Sequence, residues 1–258
     1  MVSRWIGAWL LVSLGSFCQA ATLTFCYEDK DSFPWVMTDG SGLNQELLIL
    51  VEQALGLRIQ RQAMPWKRCL AGLEQGHYDG AFAASFKTER LAMGVYPSLP
   101  NGQLDESRRL HTSAYSLYRR TGTTVNWNGE AFSGLSGKIG SLSGFSIVDF
   151  LLSHGAEVDE TSRDPLALLN MLKGKRIQAA ALQSLRADFV LKAHPELALT
   201  LEKLPQPLES KAYYLMLSKA LVRERPELAQ RLWNEIARQR ESPPYQRILQ
   251  NKLAPPAS

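Results

Sequence analysis

The chain contains 258 residues with a formal net charge of +4, and 45% of its residues are hydrophobic. This ordinary globular composition excludes a fibrous or intrinsically disordered chain. The basic residues are scattered rather than clustered, so we expect no nucleic-acid partner.

The amino-terminal segment has the pattern of a cleavable secretory signal peptide at residues 1–21. Arg4 precedes an apolar run at residues 5–17, and small residues follow this run. Because the run is too short to span a bilayer with ease, we expect cleavage after Ala20 or Ala21 and a periplasmic location. An uncleaved membrane anchor is the alternative. The remaining chain suffices for one large or two modest domains.

Removal of the signal peptide leaves two cysteines, Cys26 and Cys69. An even number of cysteines in an oxidising compartment suggests a disulfide. Two free buried thiols are the alternative, because the sequence does not supply the Cα separation that a bridge requires.

The first half of the mature sequence alternates between strand and helix patterns. Leu43, Leu47, Leu50 and Ala54 repeat at helical spacing, and Gly56 ends that helix. The predicted elements are a strand at 22–27, a helix at 43–55, a strand at 57–62, a helix opened by Pro65 and a strand at 78–84. Strands that alternate with helices imply a parallel sheet.

A long alternating strand at 110–118 leads into a second set of alternating elements. Asp164 is the expected N-cap of one helix and Pro165 its first residue. The predicted elements are strands at 138–142, 177–182 and 211–217, an extended piece at 157–158, and helices at 145–153, 164–172, 185–192 and 226–240. Because the chain crosses twice between the halves, we predict an α/β fold with two lobes, a hinge and a cleft.

Arg90 and Ser85 follow the predicted strand at 78–84, where the carboxyl ends of strands form the ligand-binding crevice of open α/β sheets. A guanidinium beside a hydroxyl suits a carboxylate ligand. The alternative is a surface arginine paired with Glu89. Trp66 is expected on the cleft wall or in the core, and Trp35 at the cleft edge or as a packing anchor.

Several motifs occur in an order that is typical of one family. The first half contains Phe33-Pro34-Trp35, Gly42-Leu43, the segment from Leu70 through Gly76-x-x-Asp79, Ser85-x-x-Thr88-Glu89-Arg90 and Tyr96-Pro97; the second contains Gly137-Lys138-Ile139-Gly140, Gly144, Lys173-Gly174 and Ala179-Ala180. From residue 22 to about residue 253, the chain resembles the bacterial extracellular solute-binding proteins of the amino-acid type, family 3.

That resemblance implies the type II periplasmic binding fold, in which each lobe is a mostly parallel sheet flanked by helices and two strands form the hinge. The first lobe would comprise residues 22–115 and 212–258, and the second lobe residues 116–211. A small carboxylate-bearing solute, an amino acid or a related compound, would be captured by a monomer and passed to an ABC permease or a membrane receptor, and no cofactor or metal is expected.

The resemblance also implies roles for individual residues. Arg90 would clamp a ligand carboxylate with help from Ser85, and Trp66 would line the ligand. The turn formed by Gly144, Phe145 and Ser146 would donate backbone amides at a helix start; a helix cap is the alternative role for Ser146. Ser184 stands where an aspartate usually holds the α-ammonium group of the ligand, so Asp29 or Glu28 is expected to supply a replacement charge.

Two other functions fit the same sequence. A cyclohexadienyl-type dehydratase on this fold would need a general acid in the cleft, for which Glu28, Asp29 and Glu209 are candidates. No carboxylate pair or nucleophile–base arrangement stands out, so we expect binding rather than catalysis. An orphan ligand sensor would use the same closed lobes to signal occupancy to a membrane receptor.

Overall fold

A computed structural model describes residues 22–254, and the predicted signal peptide lies outside the described residues. The strands are β1 (Thr22–Glu28), β2 (Arg58–Met64), β3 (Gly80–Ser85), β4 (His111–Arg120), β5 (Asn126–Trp127), β6 (Phe132–Ser133), β7 (Ile139–Leu142), β8 (Val158–Ser162), β9 (Ala179–Gln183) and β10 (Leu201–Leu217). The helices are α1 (Leu43–Leu55), α2 (Trp66–Glu74), α3 (Ile147–Ser153), α4 (Pro165–Lys173), α5 (Ser184–Ala193), α6 (Pro195–Ala198), α7 (Lys219–Glu224), α8 (Pro226–Arg240) and α9 (Pro243–Leu253).

One sheet connects the two lobes, with the strand order β2-β1-β3-β10-β4-β9-β7-β8. At one end β2, β1 and β3 are parallel, and at the other end β9, β7 and β8 are parallel. The two long central strands, β10 and β4, are antiparallel to each other and to their outer neighbours. The predicted fold class is confirmed. The predicted lobe boundaries stay a prediction, because β4 and β10 extend across both lobes and neither strand ends at those residues.

The first lobe packs α1 and α8 against its part of the sheet. The apolar face of α1 is buried through Leu43, Leu47, Leu48 and Val51 in the same core as Trp233 of α8. The indole nitrogen of Trp233 donates a hydrogen bond of 2.9 Å to the backbone oxygen of Leu215 in β10. Burying a large side chain with its polar atom paired fixes the helix to the sheet.

The second lobe repeats this arrangement with α3, α4 and α5 around β7, β8 and β9. The Asp164 side chain caps α4 by accepting a hydrogen bond from the backbone amide of Ala167 at 3.0 Å. Leu168, Leu169 and Leu172 of that helix are buried against the sheet. The predicted cap and helix are confirmed.

Strand β10 is the element that differs most from the sequence prediction. It begins at Leu201, ten residues before the predicted strand at 211–217. Its extra length contains Pro205 and Pro207, and the pairing with β4 shifts register between Lys203 and Pro207 and again between Pro207 and Glu209. Prolines are tolerated at such bulges, where they remove no regular ladder hydrogen bond.

The bridge between Cys26 and Cys69 joins β1 to the first turn of α2, with a Cα separation of 5.5 Å. This confirms the predicted disulfide and excludes the alternative of two free thiols. Within residues 22–254, no helix combines the length and the apolar character needed to cross a membrane.

Candidate functional site

A cavity of about 40 Å³ lies between the two lobes, where β1, β3 and β9 end. Six of the nine ligand-binding residues predicted from the sequence line this cavity. They are Trp35, Trp66, Ser85, Arg90, Phe145 and Ser146. The cavity is therefore the place where the predicted binding residues and the strand ends meet.

Arg90 is held in the cavity wall by a short 3₁₀ helix, Thr88–Ala92, that follows β3. Its Nη1 donates to the backbone oxygen of Ser85 at 2.6 Å, and its Nη2 donates across the cleft to the backbone oxygen of Gly144 at 2.9 Å. Only 3% of Arg90 is exposed. Among residues 22–254 no acidic side chain forms an ion pair with it, so the surface alternative with Glu89 is wrong.

The hydroxyls of Ser85 and Ser146 contact each other across the cleft at 2.7 Å. The backbone oxygen of Ser85 also accepts a hydrogen bond of 2.8 Å from the hydroxyl of Tyr96. Burial raises the pKa of Tyr96 to about 12, so Tyr96 remains a hydrogen-bond donor at neutral pH. The backbone oxygen of Ser85 is thus held by hydrogen bonds within the first lobe, and its hydroxyl faces the second lobe.

Aromatic side chains form the apolar part of the wall. The guanidinium carbon of Arg90 lies 5.4 Å from the ring centroid of Trp66, a cation–π contact. On the opposite side, His111 is stacked between Trp35 and Tyr213 at centroid distances of 4.1 and 4.7 Å. Burial holds the pKa of His111 well below its usual value, so this stack is uncharged at neutral pH.

Gln45 and Gly42 position the loop that carries Trp35. The Gln45 side-chain oxygen accepts from the amides of Met37 and Gly42 at 3.1 and 3.0 Å, while its nitrogen donates to the backbone oxygen of Met37 at 2.7 Å. A Cβ atom at Gly42 would lie 2.7 Å from the Met37 nitrogen and from the Trp35 oxygen. Only glycine allows this close approach of the loop to α1.

The other three predicted residues do not line the cavity. Asp29 forms an ion pair of 2.6 Å with Arg163 at the rim. Gly144 uses its amide to donate to Glu160 at 3.0 Å, and its carbonyl meets Arg90. The hydroxyl of Ser184 is bonded to the hydroxyl of Ser116 at 2.7 Å, away from the cavity. The ligand-binding roles of these residues stay predictions.

The neighbouring residue Gln183 and the buried Arg186 line the cavity in place of Ser184. The Gln183 side-chain oxygen accepts from Ser32 at 3.0 Å, and its nitrogen donates to the hydroxyl of Tyr213 at 2.8 Å. Sequence reasoning assigned no role to either residue. A signal was present for Gln183, which directly follows the predicted strand at 177–182, but not for Arg186, which lies within a helix.

The lobes touch along the cleft rim through polar and aromatic pairs. Lys87 and Asp149 form an ion pair of 2.9 Å between the lobes, and Lys30 and Asp164 lie 3.7 Å apart. Phe33 stacks on Phe189 with a centroid distance of 4.6 Å. Together with the ion pair of Arg163 and Asp29, these pairs close the rim of the cleft and are called the rim contacts.

Glu28 ends β1 and is the acidic residue of the cavity lining. Burial raises its pKa to about 7, and a hydrogen bond with the Asp29 side chain adds to this. The charge of Arg186 and a 3.0 Å hydrogen bond from the Trp66 amide act in the opposite direction. Glu28 therefore changes charge near neutral pH inside the cavity.

This titration predicts a pH dependence of stability. Between pH 4.5 and about pH 7, the folded protein holds the Glu28 proton more tightly than the unfolded chain does. The stabilisation that Glu28 adds to the free energy of unfolding is therefore complete below pH 4.5, and it is lost as the pH rises towards 7. Urea unfolding at pH 5, 6, 7 and 8 should show a smaller loss of unfolding free energy in Glu28→Gln than in the wild type. The exposed Glu130→Gln variant is the control and should follow the wild type; equal slopes in all three proteins would contradict the assignment.

Comparisons with solved structures show the fold of this chain. A histidine kinase sensor domain with similarity to periplasmic binding proteins aligns with a TM-score of 0.73 and 15% identity, over 91% of this chain and 97% of that chain. The GluR0 ligand-binding core from Nostoc punctiforme, in complex with L-glutamate, aligns with a TM-score of 0.68 and 15% identity, over 90% of this chain and 100% of that chain. The arginine-, lysine-, histidine-binding protein ArtJ from Geobacillus stearothermophilus aligns with a TM-score of 0.70 and 15% identity, over 90% and 95%.

These structural similarities show that the chain has the two-lobed fold of periplasmic binding proteins. No protein-family profile matches the sequence, and no curated protein matches it. Among the described residues, no group of three or more His, Cys, Asp or Glu side chains is placed to hold a metal ion.

Proposed function

We propose that the protein is a periplasmic solute-binding protein that captures a small carboxylate-bearing solute between its lobes. The observation that carries this proposal is Arg90, a buried cation on the interlobe cavity with no acidic partner in the described chain. A carboxylate could accept hydrogen bonds from this guanidinium and pack against the Trp66 ring. The architecture is also that of proteins whose solved structures contain amino-acid ligands.

Delivery to an ABC permease is the proposed destination of the solute. The fold is shared with the substrate-binding protein of an amino acid ABC transporter. A sensing role is the second candidate, and the likeness to a histidine kinase sensor domain favours it. Both roles use the same binding event, since either partner would distinguish the closed lobes from the open ones.

A dehydratase is the third candidate, and Glu28 is the observation in its favour. A carboxyl group with a pKa of about 7 is suited to general-acid catalysis at neutral pH. Glu28 is the one carboxyl group among the described residues that line the cavity, so no second carboxyl group is available there as a catalytic partner. We therefore favour binding, and incubation with prephenate or arogenate should give no product.

A thermal-shift screen of the purified mature protein tests the proposed function. At a concentration of 100 times its dissociation constant, a ligand stabilises the folded state by about 2.7 kcal/mol. For a chain of this size we expect a rise in melting temperature of about 5–10 °C. Small organic acids and amino acids should produce such a rise, whereas polyamines, which lack a carboxylate, should not. A panel in which no carboxylate raises the melting temperature would overturn the proposal.

A further inference from the structure

Arg186 is a buried cation whose hydrogen-bonding capacity the protein leaves mostly unused. It lies in the first turn of α5 and is 1% exposed. Its Nη2 reaches the backbone oxygen of Lys30 only at 3.5 Å, and within residues 22–254 its Nε and Nη1 have no partner. Burial lowers the pKa of Arg186, which reflects the cost of keeping this charge away from water.

Nothing in the described chain compensates this charge at close range. No carboxylate lies within 4.0 Å of Arg186 in an ion pair, and its guanidinium carbon instead lies 5.5 Å from the ring centroid of Phe145. Glu28 is the acid whose charge acts most strongly on it, but burial keeps Glu28 partly protonated near neutral pH. A buried arginine without an anionic partner is costly, so a role in binding an anion explains its presence.

The other unpartnered atoms of the cavity lining point to the same ligand chemistry. The indole nitrogen of Trp35 is buried and has no acceptor among the described residues. Together with Nε and Nη1 of Arg186, it gives three donors without a hydrogen-bond partner, whereas the one such acceptor of the lining, Oε1 of Glu28, lies 3.6 Å from Nη2 of Arg163 in an ion pair. A ligand rich in acceptor oxygens would satisfy the donors that the protein leaves unpaired.

Arg90 and Arg186 reach this cavity from opposite lobes, Arg90 after β3 and Arg186 from α5. This inference rests on the proposed function: we propose that Arg186 binds a second anionic group of the solute. The solute is therefore a compact dianion rather than an α-amino acid. Because the proposed solute carries a carboxylate, the dianion is a short dicarboxylate. Both guanidinium groups face the same cavity, so the two anionic groups of the solute would lie close together.

Matched pairs of acids test this inference in the purified mature protein at pH 7. Calorimetry compares malonate with propionate and succinate with butyrate, because each pair differs by one carboxylate. Sulfate and phosphate form a separate arm, and L-alanine and L-glutamate represent α-amino acids. We expect one dianion to bind at least about tenfold more tightly than its monoanionic counterpart, the effect of one additional hydrogen bond between charged groups. Tight binding of malonate or succinate supports a dicarboxylate, whereas tight binding of sulfate or phosphate alone contradicts both the dicarboxylate and the proposed carboxylate-bearing solute.

The Arg186→Met variant should lose the preference for the dianion and bind it about as weakly as the monocarboxylate. Arg90 would still bind one carboxylate of either acid. Its ligand-free melting temperature should equal or exceed that of the wild type, because an apolar side chain replaces an unpaired buried charge. The exposed Arg176→Met variant, in the same lobe, is the control and should keep the preference. If Arg186→Met does not fold, Arg186→Lys and the wild-type comparison of malonate with propionate still provide the test.

The possible failures can be separated. If the wild type binds monocarboxylates or α-amino acids as tightly as every dianion tested, the dianion inference is wrong and the proposed function stands. If Arg186→Met folds and keeps the preference, Arg186 is not the second anchor. If no carboxylate binds, the proposed function itself has failed, whether or not sulfate or phosphate binds.

Discussion

Replacing Arg90 by alanine should weaken the binding of a carboxylate solute by about 30-fold or more. Removing one member of a buried pair of charged, hydrogen-bonded groups typically costs 2–5 kcal/mol, because the other member is left buried without its partner. Here that other member is the ligand carboxylate. Isothermal titration calorimetry with the tightest ligand from the screen would measure the loss.

The structure predicts that this variant folds, so that lost binding can be distinguished from lost structure. The backbone oxygen of Ser85, which Arg90 contacts, keeps its hydrogen bond from Tyr96. Arg58→Ala is a matched control, because Arg58 is exposed at the first residue of β2 and does not line the cavity. Arg90→Lys should recover part of the affinity, since it keeps the charge but not the planar fork. Unchanged affinity in a folded Arg90→Ala variant would show that the clamp assignment is wrong.

Removing the disulfide should lower the unfolding free energy by about 4 kcal/mol. The bridge closes a loop of 43 residues, and the loss of chain entropy in the unfolded state gives this magnitude. The measurement is urea unfolding of the Cys26→Ala/Cys69→Ala double variant and of the wild type. Both cysteines are fully buried, so alanine also leaves two small cavities that add to the loss.

A reductant supplies the control for the disulfide prediction without a second mutation. Dithiothreitol should destabilise the wild type towards the level of the double variant and should leave the double variant unchanged. If the wild type and the variant have the same unfolding midpoint under oxidising conditions, the bridge does not stabilise the fold. The same result would also argue that α2, which carries Trp66, is held in place by packing alone.

The helices with strong apolar spacing and clear ends could be predicted to the residue. The bounds of α1 (Leu43–Leu55) and α8 (Pro226–Arg240) match the prediction because Gly56 and Pro226 mark an end and a start. The first half of β10 could not be predicted, since its prolines and polar residues do not alternate as a regular strand does. Its position depends on pairing with β4, which is a long-range property.

The site could be predicted where it depends on the ends of strands. Ser85 and Arg90 lie at the cavity because β3 ends at the sheet edge that faces the other lobe. Arg186 could not be found in this way. An arginine in the first turn of a helix is usually exposed, and its burial arises only when Phe145 and the loop at Lys30 close over it.

The rim contacts have a consequence for how fast a bound solute leaves. The pairs of Arg163 with Asp29, Lys30 with Asp164 and Lys87 with Asp149 are all partly exposed to solvent. Exposed pairs of this kind contribute at most about 1 kcal/mol each and are screened by salt. The ion pairs at the rim therefore hold the lobes together only weakly, and the hydrogen bonds of Arg90 with Gly144 and of Ser85 with Ser146 cross the cleft further inside. Residence time should accordingly shorten with ionic strength, and rim substitutions offer a way to adjust the off-rate while the chemistry of recognition stays the same.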